Sequence, residues 1–258
     1  MAKKQETTLI NDYHLLSYDV LDSTNEEAKR LAGGGGSHGA VIWAKRQTNG
    51  RGRMGRNWIS AEGNFFVSVL LAPEVPLAKC TQLSFVTALA VAETLQGIVS
   101  EPADITCKWP NDILASGKKL GGILLESFTS NEHGKPRNWI AVGVGINIDS
   151  APEHVMFPAT CLRDAGVEII SAKIVLSRFM HHFIQRYDQW ANHGFEGIEH
   201  DWMKNAYHLG KPIEIIVGET QHAGTYMGID SGGNLLLKDA KGKISCISAG
   251  DVFFKEMA

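Results

Sequence analysis

Residues Gln47 to Trp58 read Q-T-N-G-R-G-R-M-G-R-N-W. Gly50, Gly52 and Gly55 alternate with Arg51, Arg53 and Arg56. Glycine lets a backbone take positive φ and approach a ligand closely. The guanidinium presents a fixed cationic fork matched to carboxylate and phosphate oxygens. The stretch therefore describes a basic loop able to fold over an anion. It also spells Gly-x-Gly-x-x-Gly, the dinucleotide fingerprint, but that fingerprint follows a strand and opens a helix, with an acid about 20 residues on. Here Ala40 to Ala44 and Phe65 to Leu71 are apolar runs of strand type on either side of the loop. A loop between two hairpin strands argues against a doubly wound dinucleotide fold. Arg/Gly tracts that bind nucleic acid are longer and repetitive.

Working outward, Leu15 to Val20 reads as a strand, and Asp22-Ser23-Thr24-Asn25 starts a helix running to Leu31. Thr24 with Glu27 spells a capping box, and a helix N-terminus is also a polar binding surface. Gly33 to Gly36 forms a flexible link. Leu83, Val86, Ala90, Val91, Thr94 and Leu95 recur at helical spacing and predict a core helix over 78–99. A strand from Ile105 runs into Lys108-Trp109-Pro110-Asn111-Asp112, which is more polar than a plain hairpin needs. Lys118 and Lys119 open the next strand, and one of the pair is expected to be solvated. Trp139 to Ile148 is a strand on which Gly143 and Gly145 alternate on one face, expected to meet a ligand or another backbone. Ser171 to Trp190 is an amphipathic helix, with His181 and His182 on its flanks rather than at metal-ligand spacing. Beyond about residue 205 come short strands, Pro212–Val217, Gly224–Met227, Leu235–Lys238, Ile244–Ile247 and Asp251–Phe254, the pattern of a small β-barrel. A unit that small is marginal alone and is expected to pack on the rest.

Composition bounds the partners. The 258 residues suit one large domain or a large and a small one. A net charge of −3 argues against a molecule built to coat nucleic acid or acidic membrane, so the basic loop is a local feature. The four cysteines, at 80, 107, 161 and 246, form no C-x-x-C pair and are expected to be free thiols rather than zinc ligands. The N-terminus lacks the apolar core of a signal peptide, and no apolar run reaches membrane length. A cytoplasmic protein is the expectation.

Four segments in this order and spacing resemble the biotin protein ligases (biotin–acetyl-CoA-carboxylase ligases). They are Asp22-Ser23-Thr24-Asn25, Gln47 with the loop Gly50 to Trp58, Lys108 to Asp112 with Lys119-Leu120-Gly121-Gly122-Ile123-Leu124, and Gly143-Val144-Gly145-Ile146-Asn147. The likeness is close over about residues 15–150, and the C-terminal stretch looks like that family's SH3-like barrel. The resemblance implies an α/β (α+β) fold. A catalytic domain over 1–207 would carry a mixed β-sheet backed by helices, and 208–258 would form the barrel.

It also implies a two-step reaction, in which biotin and ATP give biotinyl-5′-AMP and pyrophosphate before the acyl group passes to a lysine of a biotin carboxyl carrier protein. Lys119 would face the α-phosphate. Arg51 and Arg53, with the backbone at Gly50 and Gly52, would close over the adenylate. Ser23, Thr24 and Gln47 would meet the ureido ring, with Gly143 and Gly145 as a flat wall. Trp58 would stack near adenine or anchor the loop, and Asn147 would lie near the nucleotide. Asn25, Arg56 and Gly122 complete the binding set. Asp112 would hold Mg²⁺ through water, orient Lys119 or orient the incoming amine; the metal ligands stay unassigned.

Some members of that family carry an N-terminal DNA-binding module, and the dozen or so residues before the first strand are too few for one. Operator binding is therefore not expected, nor is membrane association, while a homodimer through sheet edges stays open. The nearest alternative is a lipoate or octanoate ligase or transferase, against which the loop and the Lys-Trp-Pro-Asn-Asp run speak. A nucleic-acid module using Arg51, Arg53, Arg56 and Trp58 is the reading from another class.

Overall fold

The computed structural model describes residues 4–8, 13–99, 104–132, 135–153, 155, 157–168 and 170–254. The elements in chain order begin with β1 (Lys4–Thr8), β2 (His14–Leu21), α1 (Thr24–Gly33), β3 (Ala40–Gln47), β4 (Phe65–Leu71) and α2 (Leu83–Gln96). They continue with β5 (Ile105–Lys108), β6 (Asp112–Ala115), β7 (Lys118–Glu132), β8 (Lys135–Ile146), α3 (Ala172–His193) and α4 (Glu196–Lys204). The last are β9 (Pro212–Val217), β10 (Thr220–Ile229), β11 (Leu235–Lys238), β12 (Ile244–Ile247) and β13 (Asp251–Phe254).

The first eight strands form one sheet in the order β1-β2-β3-β4-β8-β7-β6-β5. β2 and β3 are its parallel pair, joined through α1, as parallel strands require a crossover. β3 and β4 pair antiparallel from Ala40↔Leu70 to Ala44↔Phe66, so the Gly/Arg loop is the connection of a hairpin, as expected. The apolar runs are continuous because both faces are covered. Ile42, Leu70, Trp139 and Ala141 pack with Ala28 and Ala32 of α1. Val41, Trp43, Val67, Val69 and Val142, at the alternate positions, pack with α2 and α3 through Leu83, Leu89, Phe179 and Phe183. α2 is buried nearly all round, as a helix lodged between a sheet and two further helices must be.

The last five strands form an antiparallel sheet in the order β12-β11-β10-β9-β13. Its inward residues Ile213, Ile215, Tyr226, Leu235 and Val252 belong to the same hydrophobic cluster as the helices. Trp109 Nε1, just after β5, donates to Gly233 O (2.9 Å) and Gln82 Nε2, just before α2, to Ser231 O (2.9 Å), tying the turn between β10 and β11 to the larger part of the fold.

Several expectations change. The helix predicted over 78–99 begins at Leu83, after a 3-10 turn over Leu77–Gln82. Thr24 is not a capping residue: Ser23 is the N-cap, without a side-chain cap bond, and Thr24 turns its amide and hydroxyl to Gln47. β1 and α4 were not foreseen. Among the described residues there is no group of three or more metal-type side chains and no helix long and apolar enough to cross a membrane.

Candidate functional site

The floor of the site is a row of residues in register across four strands. Lys108 pairs with Asp112, Asp112 with Gly122, and Gly122 with Gly145. Cross-strand partners share a sheet face, so the row runs from two glycines to two charged groups. A cavity of about 430 Å³ opens over it.

Lys119 reaches this face because of a bulge. The register shifts between Ile113 and Leu114, so Leu114 pairs with Lys119. Lys119 lies three positions from Gly122 and would point to the opposite face in a regular strand; the extra residue re-aims it. The turn before it, Ser116-Gly117, has φ of 47° and 76°, the positive values that a tight hairpin demands. Lys119 Nζ lies 2.6 Å from Asp112 Oδ1 and 5.4 Å from the centre of the Trp58 ring. Its backbone is clamped as well: Lys119 N donates to Pro158 O (2.7 Å) and Thr160 N donates to Lys119 O (2.9 Å). Lys118 is exposed, the solvated neighbour expected.

The other end is neutral and polar. Gln47 Oε1 accepts from Thr24 N (2.8 Å) and Thr24 Oγ1 (3.2 Å), while its Nε2 donates to Ser60 Oγ (2.9 Å). Ser68 Oγ lies 2.7 Å from Thr24 Oγ1 and 2.5 Å from Asn25 Oδ1. Asn25 Nδ2 donates to Glu126 Oε2 (2.7 Å). This network fixes the N-terminus of α1 over β8 and holds Ser23, Thr24 and Asn25 buried at the cavity wall.

The loop is itself a small hairpin. Trp58 N donates to Gly50 O (2.9 Å) and Gly52 N to Arg56 O (2.7 Å), with Met54 and Gly55 at φ of 55° and 73° at its tip. Its arginines are tethered to four places in the fold, on α1, on β7, in the turn between β5 and β6, and on β13. Arg51 pairs with Glu26 and with Glu126 (3.0 Å), Arg53 Nη1 donates to Asn111 Oδ1 (3.1 Å), and Arg56 pairs with Asp251 (2.9 Å). Burial holds the Arg53 guanidinium below its ordinary pKa.

Of the residues singled out from sequence, Ser23, Thr24, Asn25, Gln47, Arg51, Gly52, Arg53, Arg56, Trp58, Asp112, Lys119, Gly122, Gly143, Gly145 and Asn147 all line the cavity. Gly50 does not. A Cβ there would fall 2.3 Å from Ser60 Oγ and 2.5 Å from Trp58 O, so Gly50 is needed for packing behind the wall. Gly143 and Gly145 are also not bare. A Cβ on Gly143 would lie 2.5 Å from Asn25 Oδ1, and one on Gly145 2.6 Å from the Trp58 indole. The missing side chains make a trough that Asn25 and Trp58 fill. Asn147 is buried and donates to Thr160 O (3.0 Å), fastening the segment that clamps Lys119. The site also contains Lys108, Val155, Phe157 and the stretch Gly250–Phe253. Only Lys108 had a signal, as the first residue of the Lys-Trp-Pro-Asn-Asp run.

The arrangement suits an elongated molecule with a polar neutral head, an apolar body and an anionic tail. Comparisons with known proteins agree. Residues 18–147 match the model of the biotin/lipoate A/B protein ligase family, and residues 208–255 that of the biotin protein ligase C-terminal domain. A biotin–[acetyl-CoA-carboxylase] ligase of Paracoccus denitrificans is 36% identical over 90% of this chain and 97% of its own length. A bifunctional ligase/repressor of Bacillus subtilis is 36% identical over 95% of this chain and 75% of its own. The structure of a biotin protein ligase from Aquifex aeolicus in complex with biotin and ATP superposes with a TM-score of 0.79 at 30% identity, covering 94% of this chain and 98% of that one. This chain belongs to the biotin/lipoate A/B protein ligase family, among its biotin protein ligases.

Proposed function

We propose that this protein is an ATP-dependent ligase that activates biotin as biotinyl-5′-AMP and transfers it to a lysine of a biotin carboxyl carrier protein of a carboxylase such as acetyl-CoA carboxylase. The observation that carries the reading is the Lys119–Asp112 pair, 2.6 Å apart on the cavity floor under Trp58 and the arginine loop.

The ureido ring of biotin needs both donors and acceptors, and the cluster of Ser23, Thr24, Asn25 and Gln47 supplies both in a buried setting. The dithiolane of lipoate brings neither the donors nor the acceptors that a polar end of this kind discriminates by. The carboxylate then points along the cavity toward Lys119. In the first half-reaction a carboxylate oxygen attacks the α-phosphorus of ATP and the bond to the bridging oxygen breaks, releasing pyrophosphate. Two anions must meet, so cations aimed at the developing charge are the main requirement. Lys119 occupies that role, oriented by Asp112. Arg51 and Arg53 close the loop over the mixed anhydride and limit its hydrolysis. In the second half-reaction a neutral lysine amine attacks the acyl carbon and AMP leaves.

Magnesium binds through few carboxylates plus substrate phosphates. Asp112, on the cavity floor, would hold such an ion through water beside the substrate phosphates, whose charge the ion would neutralise, and among the described residues there is no all-protein cage.

Incubation with biotin, ATP, Mg²⁺ and a carboxyl carrier domain, probed with streptavidin, is expected to give a labelled carrier. Absence of label, with lipoate transferred instead, would retire this reading in favour of a lipoate ligase.

A further inference from the structure

Lys108 ends β5 at the far end of the floor, and 8% of it is exposed. Its ammonium stands 3.6 Å from the centre of the Phe157 ring and 5.5 Å from that of Phe254. Among the described residues it has no carboxylate within ion-pair distance, whereas Lys119 and Arg56 each hold one and Arg51 holds two. Burial lowers its pKa to about 8, since the nearby Asp112 and Asp251 carboxylates offset only part of the desolvation. A buried cation without a direct counter-charge is expensive to maintain, and the aromatic faces recover only part of that cost. A positive charge kept in this way calls for an anion that comes and goes.

Its position says which anion. Along the row from Gly145 on β8, the chain presents Gly122 on β7, Asp112 on β6 and Lys108 on β5. Three strand spacings carry this row over about 14 Å. Under the ligase reading, on which this inference rests, the ureido head lies under α1 beside β8 and the α-phosphorus lies at Lys119. The next groups outward along the same line are the leaving phosphates.

We infer that Lys108 receives the departing pyrophosphate. As the bond from the α-phosphorus to its bridging oxygen breaks, the electron pair stays on that oxygen and the pyrophosphate carries the added charge toward the Lys108 ammonium. Lys119 stabilises the phosphorus under attack, and Lys108 stabilises what leaves. Lys108 then acts in the first half-reaction and not in the second, where the leaving group is AMP.

The two halves separate experimentally. Biotin-dependent exchange of labelled pyrophosphate into ATP reads the first, and transfer of isolated biotinyl-5′-AMP to a carrier domain reads the second. Lys108→Met keeps the stem packed between the rings and removes the charge; Lys108→Arg keeps the charge. Lys108→Met is expected to raise KM for ATP and for pyrophosphate about tenfold or more, leaving KM for biotin and the transfer rate within about twofold. Lys108→Arg is expected to recover most of the loss. Unchanged KM values for both phosphates, or equal losses in the two half-reactions, would overturn the assignment. Should Lys108→Met fail to fold, lysine ¹⁵Nζ resonances of the wild-type protein give a second test, with the signal absent from Lys108→Arg identifying Lys108. That signal must move when pyrophosphate is added, and a stationary signal overturns the inference. Wild-type protein without biotin-dependent exchange would remove the ligase reading itself; normal exchange with an indifferent Lys108 removes this role alone.

Discussion

At the scale of single residues, charge placement and missing side chains do the chemical work. Lys119 and Asp112 keep 27% and 15% of their side chains exposed, so their attraction is only partly screened and the lysine is held at one angle to the cavity. Lys119→Ala would leave a carboxylate facing two incoming anions. Adenylate formation is expected to fall about 10²–10³-fold, the scale for loss of one group aimed at developing charge. Circular dichroism should be unchanged, and single-turnover measurement of the adenylate is the check; a wild-type rate would contradict the role. Gly145 acts through Trp58. A methyl at Gly145 would meet the indole at 2.6 Å, and overpacking of this kind costs about 1–3 kcal/mol. Gly145→Ala is expected to unseat Trp58 and slow adenylate formation about tenfold, yet to add less than about a factor of two in a Trp58→Ala background. Additive losses would mean that the methyl collides with substrate rather than with the tryptophan.

At the scale of elements, the helices behind the sheet are fastened by one guanidinium. Arg186 of α3 pairs with Glu93 of α2 and with Asp201 of α4 (2.7 Å), and donates to Gln189 (2.8 Å). Arg186→Ala removes the shared partner and leaves Glu93 facing His182 and Asp201 paired with Lys204 alone among the described residues, and a loss of about 1–3 kcal/mol follows. For a chain of this length that lowers Tm by roughly 2–4 °C per kcal/mol. The network lies outside the cavity, so KM for biotin and ATP should not move; a shifted KM at normal Tm would refute the separation. The same region marks what sequence could reveal. The hairpin around the loop and the long strand of Gly143 and Gly145 were legible because continuous apolar runs and punctuating glycines are local signals. α4 was not, since it buries only Ile198 and Trp202 and is held by packing and Arg186 rather than by propensity. Lys119 was found by motif, but the bulge that turns it inward exists only as a pairing between strands. The segments around Phe157 and Asp251 enter the site through tertiary contact; the second was legible as a strand, but nothing local in either announces a place at the cavity. The glycine wall was read as open to ligand because nothing in one strand announces the Trp58 and Asn25 that cover it.

At the scale of the whole molecule, the second sheet supplies part of the site. Gly250–Phe253 line the cavity, and Asp251 holds Arg56 of the loop. The two sheets share one hydrophobic cluster, so a single cooperative unfolding transition is expected. One contact between them is at Gly233, whose carbonyl accepts from Trp109 Nε1 (2.9 Å). Gly233 sits at φ 80°, and a Cβ there would meet the Phe85 ring at 2.5 Å. Gly233→Ala therefore combines a left-handed backbone strain of about 1–2 kcal/mol with a clash of about 1–3 kcal/mol, both at the seam. The expected outcome is a calorimetric trace that broadens or splits, with the C-terminal sheet loosening first. Loss of the Asp251 tether should let the loop open, so the adenylate escapes faster while biotin still binds the polar cluster under α1. Dissociation of preformed biotinyl-5′-AMP is the decisive measurement. A faster off-rate with near-normal biotin affinity fits a seam that governs closure; an unchanged off-rate would mean that the loop closes without the second sheet.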